Sequence, residues 1–239
     1  MAIGFDNDPL NYQLLLSLTF EEMVGTITHD RAKPAIGAGA VMELHHTCVL
    51  NGVPTWNQLG NGLPYLEFNP GNPDFLDCPA ADTQDLDFTT EDFTLALWIN
   101  VDDLTVDRYL MARGLLNNDG WLFYVNTNGA VYFFTNQAAA NQDTSSANNA
   151  ITTNSWCQLV ITRSGGVVLL YKNGVDITDA AGAHVNPTTS ARKLHIGIHN
   201  GEVNNPFDGK MWNPRIWARR LSPTEVMRLF VRERDLFGV

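Results

Sequence analysis

Residues 93–101 read Phe-Thr-Leu-Ala-Leu-Trp-Ile-Asn-Val. Phe93, Leu95, Leu97, Ile99 and Val101 fall on one side of a period-2 pattern, with Thr94, Trp98 and Asn100 on the other. Successive strand side chains point to opposite faces, so this run predicts a strand with one well-buried face. Downstream, 121–126 and 130–135 are β-rich runs flanking Asn128-Gly129, a strong hairpin signal. Residues 156–163 and 167–172 flank Ser164-Gly165-Gly166, and Asn173-Gly174 turns the chain into Val175-Asp176-Ile177. Further strands are predicted at 13–20, 40–44, 47–50, 64–68, 75–78, 108–113, 191–198 and 208–217. Many short strands with frequent turn signals predict an all-β antiparallel sandwich or jelly roll. No helical period precedes residue 220, which excludes a parallel α/β architecture, because parallel crossovers need helices.

One helix is written clearly, over about 223–235. Ser222-Pro223-Thr224-Glu225 is a capping box with proline at the first helical position. Leu221 and Val226 fit a hydrophobic staple, and Val226, Leu229 and Phe230 form a stripe that should dock on the sandwich. The reading is one domain over 1–239, with a core of about 13–221. Asn136–Asn149 reads as a polar, structureless loop.

The 239 residues are 44% hydrophobic, enough for a sizeable core. Net charge is −11, which argues against nucleic acid and anionic membranes as general partners. The balance is uneven. Arg215, Arg219, Arg220, Arg228, Arg232 and Arg234 face only Glu225, Glu233 and Asp235 in the last 25 residues, so that end is +3 and the rest −14. Cys48, Cys78 and Cys157 lack metal spacing and read as free, mostly buried thiols, with at most one disulfide. The acidic start MAIGFDNDPLNYQ is not a signal peptide, and Leu14–Leu18 is too short to span a bilayer. The expectation is a chain made and folded in the cytoplasm, unless it is excised from a longer secreted one.

The order of the strand words resembles the laminin-G-like, concanavalin A-like jelly-roll family, in the branch with pentraxin-like modules. Leu15–Phe20 followed by Asp30 resembles its opening strand, and Tyr65-Leu66-Glu67-Phe68 the strand that closes over it. Residues 92–99 resemble its "FT…W" strand, Asn154–Arg163 its central tryptophan strand, and Leu170–Gly174 its tyrosine and Asn-Gly turn. Leu194–Gly197, Phe207-Asp208-Gly209 and Ile216–Glu225 complete the series. The resemblance implies a concanavalin A-like sandwich, a fold that hosts lectins, hydrolases, adhesion modules and virion proteins. The Leu236-Phe237 ending resembles bacteriophage-encoded members, which implies a virion surface and a capsid or tail protein as partner.

Glycoside hydrolysis needs two carboxylates flanking the bond. Hydrolases of this fold carry runs such as E-x-D-x-E, and none of the eight glutamates sits in one. Asp82, Asp85 and Asp87 are the nearest cluster and read as solvated loop acids with an end-of-strand cap. His45-His46 lacks metalloprotease spacing, and His195 and His199 would stand about 13 Å apart on a strand. These histidines read as satisfied or exposed, and the chain as a non-enzyme.

Family members often bind calcium or glycans through rim loops. Calcium takes six to eight oxygens, and two segments supply candidates. These are Asn118 and Asp119 in Asn117–Gly120, and Asn205 and Asp208 in Asn204–Asp208. Both are also ordinary turn compositions. Lys210 stands where relatives commonly place an acid, which weakens a calcium assignment there. Sugars stack on amphipathic rings, which nominates Trp56, Trp121 and Trp212, with Asn118 and Asn205 as polar contacts and core packing as the competing role. Trp98, Trp156 and Trp217 read as core. The leading expectation is a structural or binding module that docks a protein partner through Arg228, Arg232 and Arg234 while its loop rim meets glycans. The alternatives are a calcium-assisted carbohydrate-binding module and a divergent glycoside hydrolase. Self-association stays open.

Overall fold

The computed structural model describes residues 8–32, 46–201 and 205–239. The strand expected at 40–44, His45 and Asn204 lie outside them. The strands are β1 (Leu14–Ser17), β2 (Ile27–His29), β3 (Thr47–Asn51), β4 (Thr55–Gln58), β5 (Pro64–Phe68) and β6 (Phe75–Cys78). Next come β7 (Phe93–Val101), β8 (Arg108–Leu115), β9 (Asp119–Val125), β10 (Val131–Gln137), β11 (Ala140–Ser146) and β12 (Trp156–Ser164). The series ends with β13 (Val167–Lys172), β14 (Val175–Asp176), β15 (Thr178–Ala181), β16 (Leu194–Ile196), β17 (Gly209–Trp217) and the helix α1 (Pro223–Phe237).

They form two antiparallel sheets. The first runs β14-β13-β12-β7-β17-β5-β4, with β1 also on β17; the second runs β15-β11-β10-β9-β8-β16-β6-β3-β2. The expected all-β jelly-roll sandwich with one C-terminal helix is what folds. Between the sheets lie Leu95, Leu97, Ile99, Leu159, Ile161, Met211 and Ile216 from the first, and Met111, Trp121, Phe123, Phe133, Leu76 and Ile196 from the second.

Strand β7 departs from expectation in one respect: all nine of its residues are buried. Its second face is covered by α1. Val226 and Leu229 pack with Ala96, Val160, Tyr171 and Trp217, while Phe230 joins Trp98 and Trp212. Phe237 seals the helix end, its ring 4.1 Å from Trp98, 4.7 Å from Trp156 and 5.5 Å from Trp212. The capping box forms as read: Glu225 N donates to Ser222 Oγ, and Ser222 N to the Glu225 carboxylate. Pro214 sits inside β17 where the register to β7 shifts between Trp212 and Arg215, and a bulge tolerates the missing donor.

Two further expectations are corrected. Cys48 and Cys78 are joined by a disulfide, and Cys157 alone is a free, buried thiol. The cause is register: Val49 opposes Asp77, so Cys48 and Cys78 meet on the core side of adjacent strands. Asn136–Asn149 is not a structureless loop. It holds the end of β10, a tight turn with Ala139 at φ 58°, and β11. Backbone pairing to β10 and burial of Thr144, Ser145 and Ser146 stabilise β11 despite its polar composition. His184 bridges the two strands, its ring nitrogens 2.9 Å from Thr135 Oγ1 and 2.8 Å from Thr144 Oγ1. Burial, helped by Arg163, lowers the His184 pKa to about 4, so it stays neutral at pH 7.

Candidate functional site

The outer face of the second sheet follows from strand alternation. In β9, Trp121, Phe123 and Val125 enter the core, which turns Leu122 and Tyr124 outward. In β10, Val131 and Phe133 enter the core, which turns Tyr132 and Phe134 outward. Register then aligns these residues across the sheet. Tyr109 opposes Tyr124, which opposes Tyr132; Ala112 opposes Leu122, which opposes Phe134.

The result is a ring ladder packed against a buried apolar cluster. Tyr109 and Tyr124 are 5.1 Å apart, Tyr124 and Tyr132 5.3 Å, and Tyr124 and Phe134 5.6 Å. His199 extends it, 4.9 Å from Tyr109. Ala112, Leu122 and Phe134 are buried beside it on the same face, while the three tyrosines and His199 are half-buried. Side chains on a sheet stand nearly upright, and the Tyr124 ring stacks on those of Tyr132 and Phe134 while Tyr109 is tilted against it. Burial and the nearby Asp107, Tyr109, Tyr132 and Asp143 push the Tyr124 phenol well above its ordinary pKa. Tyr109 rises from burial and Asp107. His199 is lowered by burial and by His195, so it is neutral at pH 7. The ladder is thus an uncharged amphipathic strip bordered by carboxylates.

The residues nominated from sequence lie elsewhere. Trp121 is 1% exposed in the core, with its indole N–H donating to the Leu86 carbonyl, and Trp212 is buried beneath α1. Neither offers a ring face, because α1 and the opposing sheet cover them. Trp56 is half-buried, edge-on to Phe20, and donates to the Gly25 carbonyl. Asn118 is exposed in a tight turn closed by Gly120, whose φ is 62° and where a Cβ would collide with the Arg113 carbonyl. Asn205 is half-buried with φ 54°, and its carbonyl accepts from Tyr109 N.

Asp119 and Asp208 do not fit calcium. Both Asp119 oxygens accept from Arg192 Nε, at 2.8 and 3.0 Å. Asp208 faces Arg108 Nη2 at 3.4 Å. Among the described residues no group of three or more histidine, cysteine, aspartate or glutamate side chains could hold a metal. Nor are Asp85 and Asp87 the solvated loop acids expected. Asp85 Oδ1 is 3.0 Å from His46 Nε2, and Asp87 Oδ1 is 3.0 Å from Arg113 Nη1. Their cationic partners sit on strands or strand ends distant in sequence. On α1, Arg228, Arg232 and Arg234 are exposed. Arg232 is committed to Asp8, and Arg234 lies 3.6 Å from Asp235.

A family model described as the concanavalin A-like lectin/glucanases superfamily matches residues 78–227. The chain belongs to that superfamily. No curated protein matches it in sequence. Solved structures of the same fold include the binding domain of Paraclostridial Mosquitocidal Protein 1, with a TM-score of 0.71 and 17% identity over 96% of this chain and 56% of that one. Another is botulinum neurotoxin type C, whose cell entry depends on interaction with two ganglioside molecules (TM-score 0.65, 15% identity, 93% and 52%). A third is the botulinum neurotoxin DC binding domain in complex with rat synaptotagmin II (0.67, 16%, 93% and 52%). The chain spans about half the length of these structures. Likeness at this identity speaks for the shared superfamily fold. The superfamily's own name covers both lectins and glucanases, so function rests on the site.

Proposed function

We propose that this chain is a non-enzymatic carbohydrate-binding module whose ligand lies across Tyr109, Tyr124 and Tyr132. The observation that carries this is the half-buried ring ladder on an outward sheet face. Tyrosine combines apolar ring area with a polar hydroxyl, which suits the mixed surface of a sugar. The ganglioside-interacting and synaptotagmin-bound toxin structures of the same fold support a glycan or protein receptor as the class of partner. Asp107 and Asp143 border the ladder and the whole chain is −11, so uncharged glycans are favoured over sialylated ones. A glycan array tests this. Neutral oligosaccharides are expected to bind at least several-fold more strongly than their sialylated forms. Equal or stronger binding of the sialylated forms overturns the selectivity, and no binding to any glycan overturns the function.

A second reading places the module on a phage particle, docked on a capsid or tail protein. Its support is the exposure of three arginines on α1, Arg228 and Arg232 one turn apart and Arg234 on another side of the helix. The Cys48–Cys78 bridge supports a mature protein that works in oxidising surroundings. Changing all three arginines to glutamate should abolish particle association, measured by co-sedimentation, without moving glycan affinity. Unchanged association refutes the docking surface.

A further inference from the structure

We propose that Arg108 is a built-in counterpart of a bound cation, and that removing it uncovers a divalent-cation site. Arg108 opens β8 and its side chain is 4% exposed. Nε donates to the Asp103 carbonyl at 2.9 Å and Nη1 to the Pro206 carbonyl at 3.0 Å. Nη2 meets the carboxylates of Asp103 and of Asp208. The guanidinium therefore sits among two carboxylates and two backbone carbonyls drawn from two loops, 102–107 and 205–208. These are hard oxygen donors of the kind calcium takes, and water would complete its six to eight ligands. Here the positive charge is covalent.

The surroundings repeat the arrangement. Lys210 Nζ lies 2.9 Å from Asp102 Oδ1 and 3.8 Å from Glu67 Oε1. At the other segment nominated for calcium, Arg192 fills the same role toward Asp119. Asp102, Asp103, Asp119 and Asp208 thus each face a side-chain cation of this chain. The loops that Arg108 ties together also hold one end of the tyrosine ladder, since Tyr109 N donates to the Asn205 carbonyl. The inference does not depend on what that ladder binds.

The test is thermal unfolding of the full chain with calcium chloride and with a chelator. The wild-type melting temperature should shift by less than about 1 °C in either, since without binding there is no linkage. Arg108→Ala should melt lower in chelator and rise by about 3–6 °C in millimolar calcium, the gain for a site of sub-millimolar affinity in a chain of this size. Adding Asp208→Asn should remove that gain. If Arg108→Ala does not fold, Arg108→Gln is measured in its place with the same expectation. A calcium response of several degrees in wild type overturns the proposal, as does a neutral variant that ignores calcium.

Discussion

Glu233→Ala is expected to lower the unfolding free energy by about 3–5 kcal/mol, the usual cost of orphaning a buried ionic partner. Glu233 projects from α1 onto the outer face of the first sheet. Its Oε1 accepts from Arg215 Nη1 at 2.6 Å. Its Oε2 accepts from Arg215 Nη2 at 2.8 Å, Trp98 Nε1 at 2.7 Å and Gln158 Nε2 at 3.0 Å. One carboxylate thus satisfies donors from β17, β7 and β12. Arg215 and Trp98 are 6% and 0% exposed, so water has little access to replace it. Glu233→Gln keeps the shape but weakens the charge-assisted bonds, and should cost less, about 1.5–3 kcal/mol. Urea unfolding followed by tryptophan emission checks both, because Trp98, Trp156 and Trp212 all line the seat of the helix. A Glu233→Ala midpoint equal to wild type would mean that the apolar stripe alone holds α1.

His46→Gln should cost a comparable amount, and its effect should depend on pH. His46 is 1% exposed, with Nδ1 2.7 Å from Asp30 Oδ2 and Nε2 3.0 Å from Asp85 Oδ1. Burial opposes its charged form. The hydrogen bonds and charges of both aspartates outweigh burial and raise its pKa to about 9. Asp30 in turn accepts from the backbone N–H groups of Ser17 and Ala32. The triad therefore ties β1, the end of β2 and the turn before β7 to one imidazolium. A folded pKa above the unfolded one, near 6.5, gives stability that is complete below about pH 6.5 and is lost as pH rises through about 9. The loss is of order 3 kcal/mol by linkage. Unfolding free energies of wild type and His46→Gln should converge between pH 6 and pH 10. Parallel pH profiles would show that His46 is not charged in the folded state.

Local chemistry was legible wherever it acts within a few residues. Asn173-Gly174 forms its turn with both residues at positive φ, 51° and 78°, as two-residue hairpins require. Asn128-Gly129 joins β9 to β10, and the Ser222 capping box starts α1 where it was read. What escaped depends on register between distant segments. Cys48 faces Cys78 only because β3 and β6 are neighbours, a fact absent from their spacing. The same holds for the site. Alternation in 121–125 separates Trp121 and Phe123 from Leu122 and Tyr124, but both sets are apolar or aromatic. Nothing local says which set faces the opposite sheet. Tryptophan was the larger ring and drew the assignment, yet Trp121 is walled in by the first sheet and Trp212 by α1. The tyrosines became a site only when register placed Tyr109, Tyr124 and Tyr132 in one row. Asp85 and Asp87 looked like loop acids because His46 and Arg113 lie far from them in the chain.

The central claim is that the tyrosine row is the ligand surface. The most direct measurement is calorimetric titration of the best array glycan into wild type, Tyr124→Ala and Tyr132→Ala, with melting temperatures taken alongside. The account predicts that each variant stays folded and binds about tenfold more weakly, the loss of one aromatic contact worth about 1.4 kcal/mol. Wild-type affinity in both folded variants would contradict it.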